Sequence, residues 1–338
     1  MATAEWTIPG LLELAGGYWS SCALHCAVKF DIFSSLDGAA MTAPDVARLC
    51  STDVRATGML LDALASLGLL EKENLTYRST PFAEASLSKR SPGYLGHIIM
   101  HHHHLMEGWS RLDEAVSAGG PIMKSVSRGT DDTVRESFLM GMFNLASLLA
   151  PRVAQTVSLS GRRTLLDLGG GPGTYAIHFC LANPQLRATV YDLPTTRKFA
   201  EKTIDRFGLA DRISFTSGDY HADPLPTGFD TAWLSHILHS DPAGACTALL
   251  SATVAALNSG GILMVQEFIM NDDKSGPPFP ALFSLNMLLG TDAGQSYSEC
   301  ELISMMKAAG LTGVTRLAID LPNGAGVLMG CKPDTPAV

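Results

Sequence analysis

The stretch Leu165-Leu166-Asp167-Leu168-Gly169-Gly170-Gly171-Pro172-Gly173-Thr174-Tyr175 decides the fold. An apolar run ends beside an acidic residue, and a glycine-rich turn then opens a helix. In a doubly wound sheet such a turn sits at the carboxyl edge, where ligands bind. Glycine suits it because the backbone turns sharply and a ligand must approach without Cβ atoms in the way. From Arg163 onward, short apolar runs alternate with helix-length intervals. Residues 164–168, 188–192, 213–217, 231–234, 262–267, 314–317 and 327–331 read as strands. That alternation predicts an α/β domain, a mainly parallel sheet with helices on both faces.

The glycine spacing narrows the ligand. A dinucleotide fingerprint spaces its glycines by two and then three. Here Gly169, Gly171 and Gly173 are spaced by two and two, and Thr174 stands at the third dinucleotide position. The chain has no GxxxxGK[ST] loop for a nucleoside triphosphate. Asp167, just before the turn, repels a pyrophosphate but suits the ammonium and sulfonium of S-adenosylmethionine. Asp192 ends the next strand, where a carboxylate can accept both ribose hydroxyls. Asp219, in Ser217-Gly218-Asp219-Tyr220, follows the third strand and can accept the adenine amino group, with Tyr220 available to stack on the ring. Leu193 and Gly218 flank these acids. The alternative is that Asp192 and Asp219 are only turn residues. Three acids at three successive strand ends favour S-adenosylmethionine over a nicotinamide cofactor.

The remaining composition sets bounds. The chain has 338 residues, 46% hydrophobic and 17% charged, enough for a sizeable core and unlike a disordered chain. Its formal charge of −9 lacks the basic footprint of a nucleic-acid or anionic-membrane binder. Met1-Ala2-Thr3-Ala4-Glu5-Trp6 has neither a basic nor an apolar segment of a secretory signal, and no run of about eighteen uncharged apolar residues spans a bilayer. Cys22, Cys26, Cys50, Cys180, Cys246, Cys300 and Cys331 form an odd, scattered set with no CxxC pair, as expected of a cytoplasmic protein.

The first 90 residues read as helical, with Leu11, Leu12, Ala15, Tyr18, Trp19 and Ala23 sketching one apolar face. Thr42 is a candidate N-cap with Pro44 in the first turn behind it. A second helix runs from about Asp53 to Leu67 and stops at Gly68. Residues 69–72 and 75–78, joined by a turn at Glu73-Asn74, form a two-stranded wing. This is the winged helix-turn-helix pattern. A DNA reader places Arg and Lys on its second helix. This one carries Arg55 against Asp53 and Asp62, which favours packing or dimerisation over DNA binding. Further helices are expected over 92–158, broken at Pro92 and Gly119-Gly120, with a loop from Gly129 to Asp132. The domain boundary falls near 155–163.

With these motifs in hand, the sequence resembles the small-molecule O-methyltransferases of plants and bacteria, from about Leu11 to Cys331. The specific pieces are the 167–173 turn, Asp192, Gly218-Asp219-Tyr220, Leu234-Ser235-His236-Ile237-Leu238-His239, the 260–267 strand ending in Gln266-Glu267, and Tyr297-Ser298-Glu299-Cys300-Glu301-Leu302 before Ala309-Gly310-Leu311. The resemblance implies a Rossmann-like class I methyltransferase domain over 159–338. Before it comes a mainly helical winged-helix domain over 1–158, for dimerisation and substrate cover. It implies a homodimer through that N-terminal domain, exchanging helices into the partner's pocket. It places the catalytic His on His239 and the acid that orients it on Glu267. Methyl transfer is an in-line displacement at a carbon already activated by the sulfonium, so the acceptor hydroxyl needs positioning and proton removal. An imidazole, with an ordinary pKa of about 6.5, can take that proton. The alternative for His239 is a helix N-cap or core residue. Three positions depart from the family pattern. Ser240 stands where Asp usually follows the catalytic His, with Asp241 one step later. Ser235 replaces a frequent Lys or Arg near the cofactor. Ser296 occupies the place of a second acid, and Glu299 and Glu301 belong to the first turn of a helix.

His101 to His104 interrupt a helical stretch from His97 to Leu112 that faces the substrate in similar proteins. Four consecutive residues on a helix point in four directions, so at most two can face one ligand. A polar helix face is the plainer reading. The alternative is that one of them reaches a hydroxylated or nitrogenous aromatic, or holds a metal; His97 with His101, and His236 with His239, have suitable spacing. No dedicated metal site is expected. The candidates against the acceptor are His103, Met106, Trp109, Met142, Phe143, His236, Phe283, Asn286 and Met287, with Met140 and Leu288 nearby. They suit a flat aromatic-sized hydroxyl compound such as a phenol, a hydroxylated heteroaromatic or a polyketide ring. Two other functions stand beside this one: metal-assisted C-methylation of a 2-oxo acid, and a winged-helix ligand sensor without catalysis.

Overall fold

The computed structural model describes residues 6–124, 129 and 131–334. Of the stretches discussed above, Met1 to Glu5 and Thr130 of the expected loop lie outside the described residues. The chain resolves into two compact units, 1–106 with 136–144, and 107–135 with 145–338. Residues 107–135 and 145–158, assigned to the helical part from sequence, fall in the second unit.

The first unit opens with α1 (Ile8–Gly16), α2 (Tyr18–Lys29) and α3 (Ile32–Ser35). The short β1 (Met41–Thr42), α4 (Ala43–Cys50), α5 (Val54–Ser66), β2 (Leu70–Glu73), β3 (Thr76–Ser79) and α6 (Pro81–Leu87) follow. Thr42 caps α4 by accepting the Asp45 N–H, and Asp53 caps α5 by accepting that of Ala56. The wing gains a third strand absent from the sequence reading, because Met41 and Thr42 pair with Tyr77 and Thr76. Asp62 of α5 takes Lys72 Nζ at 2.5 Å and the Tyr77 hydroxyl at 2.7 Å. The acid where a DNA reader carries a base is thus spent on holding the wing to its helix. Phe33, Leu36, Leu61 and Leu64 centre the core of this unit.

Next come α7 (Gly96–Trp109), α8 (Leu112–Ala118) and α9 (Asp132–Thr156). The single helix expected from His97 to Leu112 ends at Trp109, and Leu112 opens α8 after a turn closed by Arg111 N–H to Gly108 C=O. By length and composition α9 is apolar enough to cross a membrane, yet Ala150, Val153 and Ala154 along it are core residues of the second unit.

The rest of the second unit is β4 (Thr164–Leu168), α10 (Thr174–Ala182), β5 (Arg187–Asp192), α11 (Arg197–Arg206), β6 (Ile213–Ser217), β7 (Phe229–Ser235), α12 (Ala243–Ala256), β8 (Leu257–Phe268), α13 (Pro278–Gly290), α14 (Glu299–Ala308), β9 (Thr312–Arg316) and β10 (Ala325–Cys331). All seven strands read from sequence are present, in the order β6-β5-β4-β7-β8-β10-β9. Neighbours from β6 to β8 are parallel, while β10 runs antiparallel to β8 and β9. Core clusters flank the sheet, one around Phe179 and Trp233 and the other around Leu234, Leu250 and Tyr297. After β6 the chain returns to the far side of β4. This reversal beside β4 is the switch point of a doubly wound sheet, and its crevice lies at the carboxyl ends.

Within the first unit, His101 of α7 is buried beside Phe138, with ring centroids 5.3 Å apart. Its Nδ1 has no hydrogen-bond partner among the described residues. Burial first, then the charges of His102 and His104, push its pKa down to about 4. The folded chain therefore resists this proton, and stability falls as pH drops from about 6.5 towards 4. His101→Leu is expected to raise the thermal midpoint more at pH 5 than at pH 8. Equal shifts at the two pH values in a melting series would contradict this.

Candidate active site

Five parallel strands deliver their ends to one crevice. At the end of β4, Gly169, Gly171 and Gly173 all have positive φ, at 64°, 55° and 78°. No atom lies within 4 Å of where a Gly171 Cβ would stand, so the turn offers bare backbone to open space. Asp167 does not open onto that space. It is 1% exposed, and its Oδ2 accepts the Ala176 N–H at 3.1 Å inside the first turn of α10. Burial pushes its carboxyl up to about 7; the Ala176 N–H opposes this and the Asp192 charge adds to it. Asp167 therefore shapes the turn from behind.

Asp192, at the end of β5, accepts Gly171 N–H on one oxygen at 2.8 Å. The other oxygen accepts Leu193 N–H at 2.7 Å and the Thr196 hydroxyl at 2.9 Å. Burial raises this carboxyl too, although all three donors work the other way. Asp219 is half-buried beyond β6 and accepts His221 N–H at 3.1 Å. The Tyr220 ring stands 4.5 Å from that of His221, and Gly218 is pressed against the Tyr191 ring.

Strand β7 ends at Ser235, and His236 turns the chain with φ at 56°. His239 follows in a single helical turn, Leu238–Ser240. Beside them β8 brings Glu267, 2% exposed. His239 Nδ1 donates to Glu267 Oε2 at 2.8 Å, leaving Nε2 as the ring's open nitrogen. Glu267 Oε1 accepts Leu238 N–H at 2.9 Å, and His236 Nδ1 stands 3.6 Å from Oε2. Burial alone would raise this carboxyl, but the His239 charge and contacts with both imidazoles outweigh it and hold Glu267 far below the usual carboxylate range. His236, His239 and Glu267 bring ligand atoms within 4.8 Å of one another, enough to hold a metal ion.

Phe283 of α13 meets His239 edge-on at 4.7 Å, and Phe268 lies 4.9 Å from Phe283 and 4.2 Å from His236. Asn286, expected to face an acceptor, accepts the Trp109 indole N–H at 3.1 Å. Met287 is half-buried on the same helix. His103, Met106, Met142 and Phe143 belong to the first unit, where His103 Nε2 lies 3.3 Å from Lys29 Nζ. Ser296 is buried and its N–H donates to the Ser284 hydroxyl, so no second carboxylate occupies that position. Glu299 and Glu301 do open a helix, capped by Ser298. Sequence reasoning passed over Phe268 and quoted Gln266 only as part of a strand motif. Phe268 directly follows Glu267, and Gln266 donates to His236 Nε2 at 3.0 Å. The aromatic residue at the strand end was the available signal.

Residues 109–312 match the O-methyltransferase domain and residues 12–89 the O-methyltransferase dimerisation domain. The chain belongs to the O-methyltransferase family. This O-methyltransferase is 35% identical to the 3-hydroxy-5-methyl-1-naphthoate 3-O-methyltransferase of Streptomyces sahachiroi, covering 95% of this chain and 94% of the relative. It is 32% identical to TcmO, the tetracenomycin polyketide synthesis 8-O-methyl transferase of Streptomyces glaucescens, covering 96% and 97%. Among solved structures, PigF with SAH matches with a TM-score of 0.88 and 25% identity, covering 97% of this chain and 100% of that one. The O-methyltransferase is thus an S-adenosylmethionine-dependent enzyme of small molecules with a dimerisation domain. The bare backbone at Gly171 and the acids beside it fit that donor.

The Asp167 proton gives a test. The folded enzyme holds it more tightly than the unfolded chain, so stability falls as pH rises from about 4 to about 7 and then levels. The full effect is on the order of 4 kcal/mol. Asp167→Asn is expected to raise the melting temperature of donor-free enzyme at pH 8, with the gain fading towards pH 4. A pH-independent gain, or none, would count against a buried acid of this kind.

Proposed function

We propose that the enzyme methylates a hydroxyl of a small aromatic or heteroaromatic acceptor, with His239 as general base and Glu267 as the acid that orients it. The observation that carries this reading is the 2.8 Å contact between His239 Nδ1 and Glu267 Oε2, which leaves Nε2 as proton acceptor. S-adenosylmethionine supplies a methyl group on a sulfonium, open to displacement by an oxygen. Glu267 stays ionised beside the imidazole and stabilises it once it gains the hydroxyl proton. Phe268 and Phe283 beside the imidazole support a flat, apolar acceptor. So do the relatives, one named for a hydroxynaphthoate and the other for tetracenomycin polyketide synthesis.

Within the same reading, Asp192 takes the ribose hydroxyls, exchanging its present backbone donors for them. Asp219 takes the adenine amino group, and Tyr220 stacks on the ring. Asp167, Gly169, Gly171 and Gly173 form the cradle, with Leu193, Gly218 and Ser235 at its rim. Trp109, His236, Phe283, Asn286 and Met287 line the acceptor side. The N-terminal domain makes the homodimer; the exposed Leu11, Leu12, Leu14, Tyr18 and Trp19 on α1 and α2 support a partner there. All seven cysteines are free, in keeping with a cytoplasmic setting.

His239→Ala is expected to lower turnover by about 100- to 10,000-fold while donor affinity, measured by calorimetry, stays within a few-fold. Undiminished turnover would remove the base from this residue. A second reading, metal-assisted C-methylation, draws on the His236, His239 and Glu267 triplet. It requires a stoichiometric metal. Chelator-treated enzyme that methylates phenols at full rate would remove it.

A further inference from the structure

The turn that carries His239 is gripped through its carbonyls as well as through its side chain. The Cys246 thiol donates to Leu238 C=O at 3.0 Å, and the Tyr297 hydroxyl donates to Asp241 C=O at 2.5 Å. The two donor atoms lie 3.9 Å apart. Between these grips, a Cβ on Gly294 would stand 2.5 Å from His239 C=O and 3.0 Å from the Ser240 carbonyl carbon. A backbone carbonyl cannot yield as a flexible side chain can, so residue 294 must be glycine for the turn to rest there. Tyr297 is 2% exposed. Burial pushes the Cys246 thiol up to about 12 and the Tyr297 hydroxyl well above its ordinary value, so both remain donors at working pH.

We propose that Tyr297 is a positioning residue for the methyl transfer: with Gly294 and Cys246 it fixes the 238–241 backbone, and through it the aim of the His239 imidazole. This rests on the general-base reading of His239. Glu267 holds one ring nitrogen and the Leu238 N–H, which fixes the ring's tautomer and its near edge. Rotation of the turn about that anchor would still swing Nε2, and the carbonyl contacts with Tyr297 and Cys246 oppose it. A displacement near 1 Å in such a site costs about 100-fold in rate. The segment 291–297 touches the turn through backbone carbonyls, so its loss falls on turnover and not on donor binding.

The test is a double-mutant cycle on the full-length enzyme with a phenolic acceptor. Tyr297→Phe is expected to lower kcat about 10-fold. Acceptor KM and donor Kd should barely move, and the melting temperature should fall by no more than a few degrees, as for one lost buried hydrogen bond. Gly294→Ala should lower kcat further, again without weakening the donor. In a His239→Ala background Tyr297→Phe should have no added effect, because the residue acts only through that imidazole. An equal loss in both backgrounds, or full kcat in Tyr297→Phe beside an impaired His239→Ala, overturns the positioning role. Full turnover in His239→Ala overturns the general-base reading itself. Should Tyr297→Phe not fold, Cys246→Ser, which keeps a donor, should retain turnover while Cys246→Ala loses it. Identical behaviour of these two would also refute the proposal.

Discussion

The buried Glu267 carboxylate is the constraint on which the site depends. It sits on a central strand, almost without exposure, and accepts an imidazole N–H on one oxygen and a backbone N–H on the other. An isolated ionised carboxylate in such a place would cost several kcal/mol. The burial is tolerable only because His239, Leu238 and His236 converge on it. The dependence is mutual: the β7 end has to turn back over β8 to bring those donors in. His236 accepts a left-handed conformation to do so, tied by its own N–H to Gln266 C=O at 2.9 Å.

The parallel register extends this local demand to the donor side. Leu234 pairs with Val265 and Ser235 with Gln266, so Glu267 lies one step beyond the end of β7. On the other flank, β4 pairs Leu168 with Tyr191, and Gly169 N–H bonds to Tyr191 C=O at 2.8 Å. The glycine turn, Asp192 and the His239 turn therefore stand at neighbouring strand ends at nearly the same height. A sheet whose order reverses beside β4 brings them together without any long loop. The sheet alone sets how the glycine turn and the imidazole stand to one another.

Much of this was legible in the sequence because it is local. Strand spacing, the Thr42 and Asp53 caps and the Ser298 helix start each depend on a few neighbouring residues. The three acids were legible as strand ends, but not what each one faces. Asp167 turned out to lie behind the glycine turn, because its neighbour in space is the Ala176 N–H of the following helix. The strand of Met41 and Thr42 escaped notice because two residues carry no periodicity; only Tyr77 and Thr76, far along the chain, make them a strand. Gly294, and the contact that Tyr297 makes, escaped for the same reason. Their partners are carbonyls some fifty residues away, and a carbonyl leaves no mark in a sequence.

The contrast between two buried acids shows why burial alone does not identify a working group. Asp167 and Glu267 are 1% and 2% exposed, on strands of the same sheet. Asp167 has one backbone donor and a like charge nearby, so its carboxyl is driven up to about 7. Glu267 meets two imidazoles and a backbone donor, and is held down despite the same desolvation. A carboxyl that gains a proton near neutrality cannot steadily orient an imidazole, whereas one that stays charged can both fix the tautomer and offset the positive ring. Partners therefore set the charge: Asp167 is driven towards its neutral form, and Glu267 is kept ionised against an imidazole.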